Sequence, residues 1–158
     1  MQNTTTQTAR ATNESSLRVL SQVLVGRLEN QKHIVFDSKN RTMLRDELFR
    51  SLRPLVVTEQ DLVSMAREAI LSRTQDIADQ NIAESEAFRM KKKDFKEKYA
   101  DHEIAGFYLK VPLREVVRKV CEFLFSCDLV EDVFESDEVI QKLVQDSIST
   151  FDESKVAS

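Results

Sequence analysis

The sequence has few of the residues that make tight turns, with two glycines, two prolines and no tryptophan in 158 residues. β-Sandwiches and barrels need many tight turns, for which Gly and Pro provide the required backbone angles. The composition therefore argues against an all-β fold. Long apolar runs are also missing, since no stretch approaches the roughly 18 apolar residues of a membrane-spanning helix.

Cysteine is scarce as well, because Cys121 and Cys127 are the only two. They are six residues apart in a segment with helical periodicity, which turns them to different helix faces. A disulfide between them has poor geometry, so reduced thiols and a cytoplasmic location are expected. The N-terminal residues are rich in Thr, Gln, Asn and Ser and contain no apolar segment of the secretory kind. Residues 1–15 are expected to be a disordered tail.

Charged residues make up 32% of the chain and apolar residues 41%, which is typical of helices with narrow apolar stripes. Leu17, Leu20, Leu24 and Leu28 form one such stripe at three- and four-residue spacing. Gly26 interrupts this first helix, and a close crossing by another helix would be a physical reason for it. Further helical patterns cover residues 38–53, 58–80, 86–100, 113–126 and 136–151. The fourth predicted helix, over residues 86–100, has a thin apolar stripe and is expected to project or to lie on the surface.

Three helix starts are predicted from capping residues. Ser38 and Ser136 are candidate N-caps, and Thr58 with Asp61 resembles a capping box in which Asp replaces Glu.

Apolar connectors separate the helices. Residues 34–36 are expected to insert into the core, residues 55–57 to be extended, and residues 104–109 to form a short helical turn or a buried link.

The predicted fold is all-α, with five to seven helices in one domain over residues 16–151 and a frayed end at 152–158. Residues 16–57 form a first hairpin, 58–100 a longer helical bridge and 101–151 a second hairpin. The order of helix, apolar connector and helix occurs twice, and both copies contain a Phe-acid-Ser element, Phe36-Asp37-Ser38 and Phe134-Glu135-Ser136. This likeness predicts an internal repeat of two related hairpins.

Several of these segments together resemble a known family. They are Arg27-Leu28-Glu29, Val35-Phe36, Thr58-Glu59 with Ala66-Arg67, the link from Ala105 to Leu109, and the run from Glu131 to Glu138. Over residues 16–150 the chain is similar to the bacterial domain of unknown function family numbered 507. The resemblance implies a small helical bacterial protein, and it implies no activity and no site residues.

Catalytic and metal-binding patterns are absent from the sequence. Two glycines 80 residues apart cannot form a phosphate-binding loop, and His33 and His102 have no zinc-ligand spacing. Acidic residues are dense from Asp128 to Glu138, but the order and the glycine of a calcium loop are missing. The sequence therefore predicts no catalytic residue, no metal, no cofactor and no small-molecule substrate, and the protein is expected not to be an enzyme.

Charge is distributed unequally along the chain. Residues 1–100 have 17 basic and 14 acidic side chains, a net of +3, whereas residues 101–158 have 6 and 13, a net of −7. The candidate partner-binding cations are Arg89, Lys91, Lys92, Lys93, Lys96 and Lys98. The candidate partner-binding acids are Glu131, Asp132, Glu135, Asp137 and Glu138.

These surfaces favour a protein-interaction or scaffolding module, either with another protein or as a homo-oligomer joined through oppositely charged halves. The alternative is RNA or DNA binding through the basic helix at residues 89–98. Membrane association is not expected.

Overall fold

The computed structural model describes residues 14–72, 83–99, 103–104 and 107–152. Within these ranges the chain forms six α-helices and five short strands. The helices are α1 (Glu14–Asn30), α2 (Arg41–Leu52), α3 (Glu59–Ser72), α4 (Glu84–Lys98), α5 (Leu113–Ser126) and α6 (Asp137–Ser149). The strands are β1 (Ile34–Phe36), β2 (Val56–Val57), β3 (Glu103–Ile104), β4 (Phe107–Leu109) and β5 (Val130–Val133).

The mainly helical class is confirmed, with one correction, because the apolar connectors form strands. β1 pairs with β5, and β2, β4 and β3 form a three-stranded sheet in that order, with all pairs antiparallel. Of the two alternatives predicted for residues 104–109, the helical turn is wrong, since Ile104 pairs with Phe107 across two strands. Tyr108 and Leu109 are buried, as the alternative of a buried link predicts. Pairing supplies hydrogen bonds to backbone groups that the connectors take out of water. None of the described helices is long and apolar enough to cross a membrane.

The larger core lies between two helix-strand-helix units, α1–β1–α2 and α5–β5–α6. The helices of each unit pack together, α2 also packs on α5, and α1 on α6, while β1 joins β5. The core residues that are almost completely buried include Leu17, Leu24, Leu28, Leu44, Leu48, Leu52, Leu124 and Ile140. Each such side chain contributes roughly 1.5–3 kcal/mol from its removal from water. Both units are needed to bury this set.

The Phe-acid-Ser element is used differently in the two units. Phe36 packs against the core, whereas Phe134 is exposed. Ser136 caps α6 as predicted, since its Oγ accepts from the amide of Val139 at 3.4 Å. Ser38 does not cap a helix; instead Asp37 accepts from the amide of Lys39 at 3.0 Å and begins a 3-10 turn before α2. The carboxylate of Asp37 reaches the amide two residues on, which is a local turn hydrogen bond. The internal repeat stays a prediction.

A smaller core joins the bridging helices to the larger one. It contains Val57, Leu62 and Tyr108, with Met65, Phe95 and Tyr99 packed around them. Val56 and Leu109, each one residue away along the same two strands, belong to the larger core. Successive side chains of a strand point to opposite faces, so the β2–β4 ladder is a wall with one core on each side.

The fourth predicted helix, α4, lies on the surface, which is one of its two predicted placements, and does not project. Its Phe95 and Tyr99 pack on the smaller core, and α4 lies along α3. Seven- and four-residue spacing places Phe88, Phe95 and Tyr99 on one stripe of the helix, and this narrow stripe is sufficient for α4 to pack along α3.

The predicted capping box at the start of α3 is confirmed. The amide of Asp61 donates to Oγ1 of Thr58 at 3.1 Å, and the amide of Thr58 donates to Oδ2 of Asp61 at 3.0 Å. Arg53 holds both oxygens of Asp61 at 3.0 and 2.9 Å and also donates to Glu14 at 2.9 Å. Burial disfavours the ionised carboxylate, but the hydrogen bonds from Arg53 and Thr58 outweigh burial and lower the pKa of Asp61. The cluster ties the ends of α1, α2 and α3 together.

Gly26 has no close neighbour. A Cβ built on it meets nothing within 4 Å, leaving aside its chain neighbours and the helix's own backbone. The close helix crossing proposed for this glycine is therefore wrong for the described part of the chain.

The end of α1 is closed by a turn through Lys32, whose φ of 61° lies in the left-handed region. The amide of His33 donates to Leu28 O at 2.9 Å and that of Lys32 to Glu29 O at 3.0 Å, which is the Schellman pattern. This turn directs the chain from α1 into β1.

Candidate interaction surface

The strands β1 and β5 form a two-stranded ribbon that lies over the larger core. Ile34 pairs with Val133 and Val35 with Asp132, and the register then jumps so that Phe36 pairs with Val130. The extra residue is Glu131, which makes this a β-bulge. The amide of Phe134 donates to His33 O at 2.8 Å, so the ladder continues one residue beyond β5.

The outer face of the ribbon carries two exposed apolar side chains, Val35 at 40% and Phe134 at 58% of full exposure. Asp132 lies opposite Val35, and Phe134 directly follows the last residue of β5, so strand alternation continued by one residue places all three on one face. By strand geometry, Val35 and Phe134 are diagonal neighbours, with Cα atoms roughly 7–8 Å apart. Burial in the core was predicted for residues 34–36 together, and for Val35 that prediction is wrong because strand alternation turns it outward.

Exposed carboxylates are frequent in the sequence on both sides of Phe134. Glu131, Asp132 and Glu135 are exposed on the ribbon and just after it. Asp137 and Glu138 are exposed in the first turn of α6, where the helix dipole favours anions. The five predicted acidic residues thus lie on one continuous stretch of chain, on the ribbon and the helix start that follows it. We call Val35, Phe134 and these five acids the acidic ribbon face.

The outer edge of β5 is partly occupied by its own side chain. The amide of Val133 donates to Oδ1 of Asp132 at 2.8 Å. A backbone donor that is already hydrogen-bonded is less available to an added strand. The outer face is therefore the more accessible part of the ribbon.

The six predicted cations of α4 do not form one patch. Lys92 forms an ion pair with Glu59 of α3, and Lys91 and Lys92 are half-buried. The cations that remain exposed are Arg89, Lys93, Lys96 and Lys98, and the same helix exposes the acids Glu84, Glu86, Asp94 and Glu97. Four exposed acids thus accompany four exposed cations on α4, so the positive charges are offset by neighbouring carboxylates.

Neither described cysteine has the surroundings of a nucleophile. Burial, with the nearby charge of Asp137 and a hydrogen bond to it, raises the pKa of Cys121 to about 12. Its thiol is therefore protonated at neutral pH, and the thiolate is the reactive form. Cys127 contacts Oε1 of Glu47 at 3.8 Å. In the described ranges, no three His, Cys, Asp or Glu side chains are grouped to hold a metal ion; His102 lies outside those ranges.

A cleft of about 520 Å³ opens beside the ribbon, between the end of α1, the start of β1 and α6. Arg27 donates to Oγ of Ser147 across it at 3.0 Å. Sequence reasoning missed this cleft because its lining residues are about 110 residues apart in the chain.

Comparison of the chain with protein-family models and with curated proteins found no match.

Proposed function

We propose that this protein is a non-enzymatic interaction module that binds a basic, partly apolar segment of another protein on the acidic ribbon face. The exposure of Phe134 carries the proposal. A large aromatic side chain that is more than half exposed, beside a second apolar residue and close in sequence to several exposed carboxylates, has the composition of an interface centre with a charged rim.

Charge determines the kind of partner. Five carboxylates attract Lys- and Arg-rich segments and repel acidic ones. Two copies of this face brought together by a two-fold axis would place like charges opposite each other, which is unfavourable. A basic heterologous partner is therefore favoured over a symmetric dimer formed through this face.

A defined peptide can test this proposal. An extended peptide with alternating Lys and Phe should bind, whereas the same peptide with Glu in place of Lys should not. Isothermal titration at about 50 mM and about 500 mM salt should show weaker binding at the higher concentration, because screening shortens the range of the charges.

Variants with one matched control make the test specific. Phe134→Ser should weaken peptide binding about tenfold or more, as expected for a central aromatic residue of an interface. Phe125→Ser is the control, because Phe125 is similarly exposed at 55% but lies on α5. Equal binding by wild type and F134S, or equal losses in both variants, would count against the acidic ribbon face.

RNA binding through α4 is the second candidate, and three of its four exposed cations, Arg89, Lys93 and Lys96, support it. Their spacing of four and three residues places them on one helix face. Filter binding of a random-sequence RNA at low salt tests it, with Gln at all three positions as the variant. The opposing acids on the same helix make us favour the protein partner.

We infer that the two helix-strand-helix units are related by duplication, since the element order repeats and β1 pairs antiparallel with β5. The family resemblance at residues 16–150 likewise stays a proposal, and with it a cytoplasmic location.

A further inference from the structure

The cleft between α1 and α6 has the size and lining of a small-molecule site. Its volume of about 520 Å³ lies within the roughly 300–1,000 Å³ that ligand pockets occupy. It is lined by Arg27, Asn30, Gln31, His33, Val139, Lys142, Leu143, Asp146 and Ser147. All of these residues lie in the described ranges.

The polar groups of the cleft favour one negative charge. Arg27 and Lys142 are exposed cations, and neither has a carboxylate within 4.0 Å among the described residues. Asp146 contributes one negative charge, and the end of α1 contributes a partial negative charge of about 0.5. The balance is slightly positive, which suits a monoanion and not a multiply charged phosphate.

The rest of the lining suits an apolar body. Val139 is 41% exposed and Leu143 is half-buried, so both present apolar surface to the cleft. Nδ1 of His33 is buried and has no hydrogen-bond partner in the described part of the protein. A buried polar atom without a partner is uncommon, and a turn of the imidazole ring towards the cleft would give it one in a bound ligand.

We propose that this cleft binds a small carboxylic acid with an apolar body, its carboxylate held by Arg27 and Lys142 and its body against Val139 and Leu143. Ser147 acts as a positioning residue, since its buried hydroxyl receives the hydrogen bond of Arg27 at 3.0 Å. The proposal is independent of the peptide binding proposed for the acidic ribbon face.

Three probes separate the contributions of charge and of apolar surface. Octanoate carries both, octan-1-ol has the same chain without the charge, and acetate has the charge without the chain. In ¹H–¹⁵N NMR titrations, octanoate should shift the amides of Gln31, His33, Val139 and Leu143 in a saturable manner. Octan-1-ol and acetate should each bind at least about tenfold more weakly, the factor expected for the loss of one charge-assisted contact or of most of the buried apolar surface.

Substitutions on the surface test the assignment without disturbing the core. Arg27→Gln and, separately, Lys142→Gln should each weaken octanoate binding about tenfold. Arg50→Gln is the control, because Arg50 is an exposed cation on α2 outside the cleft. Overlay of each variant's spectrum on that of the wild type verifies folding. Shifts at other residues, equal binding of octanoate and octan-1-ol, or unchanged binding in both cleft variants would overturn the proposal.

Discussion

Gly26 lies in the interior of α1, and replacing it with Ala should stabilise the protein. A glycine in a helix interior costs roughly 0.5–1 kcal/mol relative to alanine, because the unfolded chain loses more backbone freedom on folding. A clash of the new methyl group with a neighbouring atom would reduce this gain in the free energy of unfolding. Leaving aside its chain neighbours and the helix's own backbone, a Cβ at this position meets no atom of the described residues within 4 Å, so no clash with them opposes the gain.

The expected change is therefore the propensity difference alone. G26A should raise the free energy of unfolding by about 0.5–1 kcal/mol. For a domain of this size, each kcal/mol raises Tm by about 2–4 °C. Urea unfolding followed by circular dichroism at 222 nm would measure it. The denaturant slope should not change, because the substitution alters little buried surface.

Gln22→Ala in the same helix is the matched control. Gln22 is exposed one turn earlier, and Gln and Ala differ little in helix propensity, so the change should stay within about 0.5 kcal/mol. A G26A protein that is less stable than the wild type would refute the reasoning, because it would show that a neighbouring group lies closer to Gly26 than the described residues do.

Other predictions follow from the turn after α1, the capping box and the cysteines. Lys32→Gly should stabilise by about 0.5–1 kcal/mol in thermal unfolding, since glycine removes most of the roughly 1–2 kcal/mol cost of a left-handed residue but adds freedom to the unfolded chain; a loss of stability would contradict this account of the turn. Asp61→Asn should destabilise by about 1–2 kcal/mol at pH 7, after allowance for solvent screening of its pair with Arg53. Because folding lowers the pKa of Asp61, its carboxylate contributes to the free energy of unfolding when the pH is above the ordinary carboxyl pKa. This contribution is lost as the pH falls through the pKa of the folded state. The wild type should therefore lose more stability than D61N on acidification below about pH 4, and parallel pH profiles would argue against the ion pair. In the folded protein iodoacetamide should modify Cys127 much faster than Cys121, whose pKa is raised to about 12; mass spectrometry of the peptides would detect equal rates if this were wrong.

Helical periodicity predicted the parts of this fold that depend on local spacing. The stripe from Leu17 to Leu28 marked α1, and the paired hydrogen bonds of Thr58 and Asp61 follow directly from their three-residue separation. Such features need only neighbours in sequence, so one chain is sufficient to find them.

Pairing between distant segments was not predictable in the same way. Val35 was expected in the core because three apolar residues stand together, yet its pairing with Asp132 turns it to solvent. The strands are two to four residues long, which is too short for a period-2 pattern to be read reliably. The ion pair of Lys92 was not predictable for a similar reason, because its partner Glu59 belongs to another helix.

The β2–β4 strand pair, with one core on each face, determines which segments can be deleted from the protein. Val56 and Val57 are adjacent, yet one belongs to each core, and Leu109 and Tyr108 repeat this across the ladder. A deletion that removes α3 and α4 would therefore expose the far side of Val57 and Tyr108 to water. A shortened protein that keeps β2 and β4 but lacks α3 and α4 would leave those two side chains uncovered, and polar residues at both positions would be needed to keep it in solution. The helical bridge therefore buries one face of the β2–β4 strand pair, and removing it would expose that apolar face to water.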